Sequence, residues 1–253
     1  MIRTFLRLRE RSPAPYRNLD PEKIVETVIQ LRNRIHERFP GSGLCRVAEE
    51  LLGVARESVE RSRWIAQPQK WFRLAATALV LVLFWALLTA ILKVNVEARV
   101  HDIGSLLQAF EAGINDVVLV GAAIYFLVTL EERLKRKVVL KAMHELRSLA
   151  HIVDTHQLTK DPDRFINPAS DTASSPKRLL GPSEMARYLD YCSEMFSLIG
   201  KLAALHIQAF DDSAALEAVD NIEDLTVGLS RKVWQKIALL NQTASKHGFV
   251  APD

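Results

Sequence analysis

The chain has 253 residues, of which 49% are hydrophobic and 25% are charged, and its formal net charge is +3. This charge is too small to indicate a nucleic-acid partner, and no zinc-finger spacing or aromatic-rich basic patch accompanies it. Two cysteines, Cys45 and Cys192, are too few for a disulfide framework, so we expect both to be small core residues in a reducing compartment. No phosphate-binding, dinucleotide-binding or hydrolase motif occurs, and the sequence therefore indicates no cofactor and no enzyme class.

The first 66 residues predict a flexible basic segment followed by a helical pair. Residues 1–19 interleave arginines with single apolar residues, whereas residues 20–66 show helical periodicity. Asp20 is a predicted N-cap with a proline directly after it, and Pro40 and Gly41 end the first helix of the pair. Its apolar stripe consists of Ile24, Val28, Leu31 and Ile35.

A first membrane span is predicted over residues 72–93. Residues 74–92 carry no charge, and a helix of that length reaches about 28 Å, close to the thickness of the hydrocarbon core. Trp64 and Trp71 precede this run and Lys93 follows it, which is typical of residues that anchor a helix at the membrane interface.

A second span is predicted over residues 115–131, after a short external connection at residues 94–114. An amphipathic piece around residues 103–110 of that connection is expected to lie at the interface. Glu111 and Asp116 lie at the outer end of the second span. Two interpretations stay open for these acids: carboxylates that reach water at the interface, or a cation-attracting ring at a pore mouth.

The charges around the two spans predict their orientation. Basic residues cluster before the first span and after the second, while the connection is mostly acidic. Both termini are therefore expected in the cytoplasm, with the protein in the cell (inner or plasma) membrane. The same pattern predicts contact with anionic lipid headgroups for one basic run, which consists of Arg133, Lys135, Arg136 and Lys137.

The remainder of the chain predicts more helix. Residues 131–158 contain neither glycine nor proline, so the second span is expected to continue as a cytoplasmic stalk over 132–158. A proline-rich loop at 159–182 and a helical hairpin at 183–247 follow. One seam of the hairpin is expected to mediate assembly, and it consists of Met185, Leu189, Cys192, Phe196, Ile199 and Ala203. The predicted fold class is all-α: a two-span transmembrane hairpin with a cytoplasmic helical bundle.

Residues 143–162 contain three histidines, which raises the question of a metal site. His144 and His151 are about 10 Å apart along a helix and cannot bind one ion together. His151 and Asp154 are three residues apart and supply two possible ligands. A third ligand would come from a facing helix, with Asp190, Glu194 and His206 as candidates. The competing interpretation is that these groups are solvated or capping, and that His206 is a core residue with one hydrogen bond.

Three functional hypotheses follow from these patterns. The first is a non-enzymatic, multi-pass membrane protein whose cytoplasmic bundle binds a protein partner or assembles with its own copies. The second is a subunit of an oligomeric channel or transporter, with Asp116 and Glu111 near the pore mouth. The third is a metal-dependent activity centred on His151 and Asp154.

Overall fold

A computed structural model describes residues 18–67, 70–93, 103–162, 165, 173–175 and 180–246, although some side chains within these ranges lie outside the description. Three predicted parts of the chain therefore lie partly outside the described residues. They are the basic segment at 1–19, of which 1–17 are not described, the connection at 94–114, of which 94–102 are not described, and most of the proline-rich loop. All the regular structure in the described ranges is helical, which confirms the all-α prediction. The six helices are α1 (Pro21–Arg38), α2 (Gly43–Ala66), α3 (Lys70–Lys93), α4 (Ile103–Leu158), α5 (Pro182–Leu205) and α6 (Ser213–Lys246).

The boundary between α1 and α2 follows from local hydrogen bonding. At the start of α1 the Asp20 carboxylate accepts hydrogen bonds from the backbone N–H groups of Glu22 and Lys23, at 3.0 and 3.4 Å, which satisfies donors that a helix start otherwise leaves unpaired. The chain then turns at Gly41, whose φ of 69° lies in the left-handed region that favours glycine. Helix α2 follows directly after this turn.

The chain divides into two compact units. The bundle unit comprises Met1–Ala66 and Val138–Asp253, and the central unit comprises Gln67–Lys137. In the bundle unit α1 packs on α2, α5 packs on α6, and α5 also contacts both α1 and α2. The second half of α4 contributes buried residues to the same hydrophobic cluster. The cluster's largest fully buried side chains include Leu31, Ile35, Leu146, Leu189, Phe196, Ile199 and Ile222.

Helix α4 is one uninterrupted helix of 56 residues. Its course over residues 131–158 follows from the absence of breakers in that stretch. It begins at Ile103, twelve residues before the second span predicted from sequence, so the amphipathic piece at 103–110 belongs to the same helix. Gly104, Gly113 and Gly121 lie inside it. An interior glycine costs only about 1 kcal/mol relative to alanine, and a long helix tolerates three of them.

The two stretches predicted to span a membrane lie within α3 and α4. Among the residues that the structure describes, however, no helix is both long and apolar enough to cross a bilayer. Of the expected interfacial anchors, Trp64 is exposed near the end of α2, whereas the side chains of Trp71 and Lys93 lie outside the described part of the chain. The helical part of the prediction is therefore supported, and the membrane-spanning part remains a prediction.

A polar cross-link joins the end of α4 to α6. The Lys236 ammonium donates to the backbone carbonyl of Gln157 at 2.9 Å and to its side-chain oxygen at 2.7 Å. Gln157 is 1% exposed, and its amide nitrogen donates to the Asp154 carboxylate at 2.6 Å. Burial lowers the pKa of Lys236, while Asp161 and Asp154 oppose that shift. Because every partner is hydrogen-bonded, this network holds two helices together without an unpaired buried charge.

We expect Lys236→Met to lower the free energy of unfolding by about 1–3 kcal/mol, because it leaves two oxygens of Gln157 without this donor. Denaturant unfolding of the full chain in mild detergent, followed by circular dichroism, measures the change. Lys201→Met is the matched control: Lys201 is exposed and donates to Ser197 of its own helix, so its effect should stay within about 0.5 kcal/mol. Equal effects for the two variants would contradict the cross-link.

Candidate functional site

The two α4 residues predicted as metal ligands have separate environments. His151 is exposed on the helix surface, and Asp154 is half-buried and accepts the hydrogen bond from Gln157. The polar residues near the end of α4 therefore include members of the cross-link to α6. His144, from the same stretch, lines an open groove beside Glu50 and Glu57 of α2.

The two acidic candidates on α5 are engaged in ion pairs. Glu194 forms a two-point contact with Arg34 of α1, with N···O distances of 3.0 and 2.5 Å, and this hydrogen bonding raises the pKa of Arg34. The guanidinium also lies 5.6 Å from the centre of the Tyr191 ring, a distance suited to a cation–π contact. Asp190 pairs with Arg187 of its own helix at 2.9 Å. Both carboxylates thus already have cationic partners.

His206 is a buried residue at the end of α5, only 1% exposed. Its Nδ1 lies 2.8 Å from the carbonyl oxygen of Leu202, which agrees with the interpretation as a core residue with one hydrogen bond. The charged groups that influence its pKa are Arg61 and Glu145. Arg61 and Glu145 themselves form an ion pair between α2 and α4, with an N···O distance of 2.5 Å.

A different set of possible ligands comes together at the α1–α2 turn. The ligand atoms of His36, Cys45 and Glu49 all lie within 4.8 Å of one another. This is the one such group found among the residues that the structure describes, and it contains none of the five predicted ligands. The sequence predicts Cys45 as a core residue and assigns no metal-binding role to it. The available signal was the four-residue spacing of Cys45 and Glu49, which puts both on one helix face.

The basic run at 133–137 is only partly available to lipid headgroups. Arg133 and Lys137 are exposed. Lys135 is 9% exposed, and its ammonium donates to the carbonyl of Gln67 at 3.2 Å and pairs with Glu131 at 2.9 Å. Lys135 is therefore engaged in contacts within the central unit, and the headgroup role of the basic run stays a prediction.

The acids predicted for a pore mouth are only partly described. Glu111 is exposed on α4. The side chain of Asp116 lies outside the described part of the chain, so the pore-mouth prediction stays a prediction.

The central unit carries an unusual amount of exposed apolar surface. Side chains from both of its helices are more than half exposed, and they are Leu74, Leu81, Val82, Phe84, Trp85, Val117, Val118, Leu119, Tyr125 and Phe126. Singly exposed apolar residues are normal on soluble proteins, but contiguous apolar patches mark protein or membrane contacts.

No protein-family model, curated protein or solved structure matches this chain. Its function is therefore argued from its own residues.

The buried His206 predicts a pH dependence of stability. Burial lowers the pKa of His206, and the charge of Arg61 acts in the same direction. As the pH falls, the unfolded chain therefore binds a proton at this histidine before the folded chain does. The contribution of neutral His206 to the free energy of unfolding is complete above about pH 6.5, and it is lost as the pH falls through the lowered pKa of the folded state. We expect His206→Asn, which keeps a donor near the Leu202 carbonyl, to make this acid-side decline shallower.

Thermal unfolding of the full chain at a series of pH values measures this slope. His151→Asn is the control, because His151 is exposed, and it should leave the slope unchanged. The lowered pKa of His156 is present in both variants, so it cannot produce a difference between them. An unchanged slope in His206→Asn would refute the assignment.

Proposed function

We propose that this chain is an integral membrane protein whose central unit lies in lipid and whose bundle unit is a cytoplasmic, non-enzymatic assembly module. The observation that carries the first half is the exposed apolar surface of α3 and α4 in the central unit. In water that surface is unfavourable, since burying one large apolar side chain is worth about 1.5–3 kcal/mol. Hydrocarbon removes this cost.

The sequence of α3 supports this proposal. The helix has 24 residues, or about 36 Å, and its uncharged run covers residues 74–92. The second span lies in α4. Basic residues are in excess before the first span and after the second, and this excess favours a cytoplasmic location for both termini.

The surface for assembly is a stripe on α6. The predicted seam at 185–203 is not available to a partner, since its apolar residues form part of the bundle core. Leu216, Val227 and Trp234 are instead exposed on α6, by 47%, 52% and 58%. Their spacings of eleven and seven residues correspond to about three and two helical turns, so they share one face.

A second copy of this chain is the proposed occupant of the α6 stripe. Exposed acids, Asp220 and Glu223, lie toward the start of this face, and the exposed base Arg231 lies beyond Val227. A surface that carries both signs of charge around apolar residues is suited to self-association. Tryptophan is also among the residues that most often dominate interface energies.

Placing a charge within α3 tests the membrane proposal. Val82 is 64% exposed and lies near the middle of the uncharged run, so Val82→Arg should disfavour insertion by about 2.5–3.5 kcal/mol. We expect a smaller share of the full chain to remain in membranes after an alkaline wash. Ile152→Arg is the control: this residue of α4 in the bundle unit is 46% exposed, and the share should not change. A wild-type chain that stays dissolved without detergent would refute the proposal.

Removing the aromatic side chain of the α6 stripe tests the assembly surface. Trp234→Ala should weaken self-association at least about tenfold, as expected for loss of an interface hot spot. Sedimentation of the full chain in mild detergent over a range of concentrations measures this. Trp64→Ala removes an exposed tryptophan from α2 and should not alter the dissociation constant. A monomeric wild type, or equal effects of both variants, would defeat this part of the proposal and leave the membrane part standing.

A further inference from the structure

We propose that His36, Cys45 and Glu49 form a binding site for a divalent metal ion of the zinc class. The three residues come from the last turn of α1 and the first two turns of α2. A bound ion would therefore join the two ends of this helical hairpin. The inference concerns the bundle unit alone and is independent of both membrane insertion and the α6 stripe.

The spacing of the ligand atoms fits tetrahedral zinc. Nδ1 of His36 lies 3.4 Å from the sulfur of Cys45. Zinc binds sulfur at about 2.3 Å and nitrogen at about 2.0–2.1 Å, and at a tetrahedral angle this puts the two ligand atoms about 3.5 Å apart. A carboxylate oxygen of Glu49 lies within 4.8 Å of the Cys45 sulfur and of a ring nitrogen of His36. Glu49 is exposed, so its side chain is free to complete the contact by rotation.

The site is fixed by the packing around it. Cys45 is 5% exposed and belongs to the hydrophobic cluster. Its backbone N–H donates to the Ser42 hydroxyl at 3.2 Å, which caps the start of α2. On the other side of the turn the Phe39 ring packs edge-on against Tyr188, with centroids 5.4 Å apart. The positions of the ligands are thus determined by helices and core contacts rather than by a free loop.

The donor set decides which metal is favoured. Thiolate and imidazole are preferred by zinc, whereas magnesium and calcium prefer oxygen ligands alone. Binding replaces the thiol proton of Cys45, which passes to solvent. Three protein ligands leave one coordination position for water or a group from a partner. Without metal, the same geometry is a hydrogen bond between the Cys45 thiol and the His36 imidazole. A suitable probe therefore distinguishes a metal-bound thiolate from this hydrogen-bonded thiol.

Cobalt(II) is the probe, because a cobalt–thiolate bond produces a charge-transfer absorption band that oxygen or nitrogen ligands alone do not. We expect the full chain, purified in mild detergent with reductant and stripped of metal, to bind one Co²⁺ with this band and to lose it when Zn²⁺ is added. Cys45→Ser should abolish the band. Cys192→Ser, which removes the other buried cysteine, should retain it.

Substitutions of the two exposed ligands control for a loss of folding in Cys45→Ser. His36→Gln and Glu49→Gln change exposed side chains, so both should keep the helical circular dichroism of the wild type while weakening Co²⁺ binding at least about tenfold. Zn²⁺ should raise the unfolding temperature of the wild type and of Cys192→Ser, but not that of Cys45→Ser. A wild type without the thiolate band, a band that survives in Cys45→Ser, or unchanged affinity in both glutamine variants would overturn the proposal.

Discussion

The removal of apolar side chains from water is the constraint on which this structure depends, and the two units meet it differently. In the bundle unit α1, α2, α5, α6 and the second half of α4 bury their apolar residues in one continuous cluster. In the central unit, large side chains such as Val82 and Val117 remain exposed within the chain itself. The first unit covers its own core, whereas the second leaves large apolar side chains at its surface, and this exposure is the basis of the membrane proposal.

Polar side chains in the bundle mainly specify how its helices pair. The Arg34–Glu194 contact joins α1 to α5, and the Lys236–Gln157 bonds join α6 to α4. A buried amide such as that of Gln157 is tolerated because its oxygen and nitrogen both have partners. The bonds of Gln157 account for two of the polar residues near the end of α4, Gln157 itself and Asp154. Of the acids predicted as metal ligands, Glu194 and Asp190 are paired with neighbouring arginines, and Asp154 accepts a hydrogen bond from Gln157.

Different features of the chain were predictable to different degrees. The apolar stripe of α1 at residues 24–35, the Asp20 cap and the unbroken course of α4 after residue 131 depend on local periodicity and capping, and the structure confirms them. The predicted seam at 185–203 is buried as a core element, since α6 and other helices cover it. Periodicity identifies an apolar face, but it does not show whether the face is covered by the same chain or by another.

The sequence by itself determined the helical class, the Asp20 cap and the two apolar stretches, because these depend on interactions between residues a few positions apart. Only the tertiary structure decided which polar groups meet. Glu194 finds its partner 160 positions away, and His36 approaches Cys45 only because the turn at Gly41 reverses the chain. Such contacts depend on how helices pack in three dimensions, and no spacing along the chain encodes that packing directly.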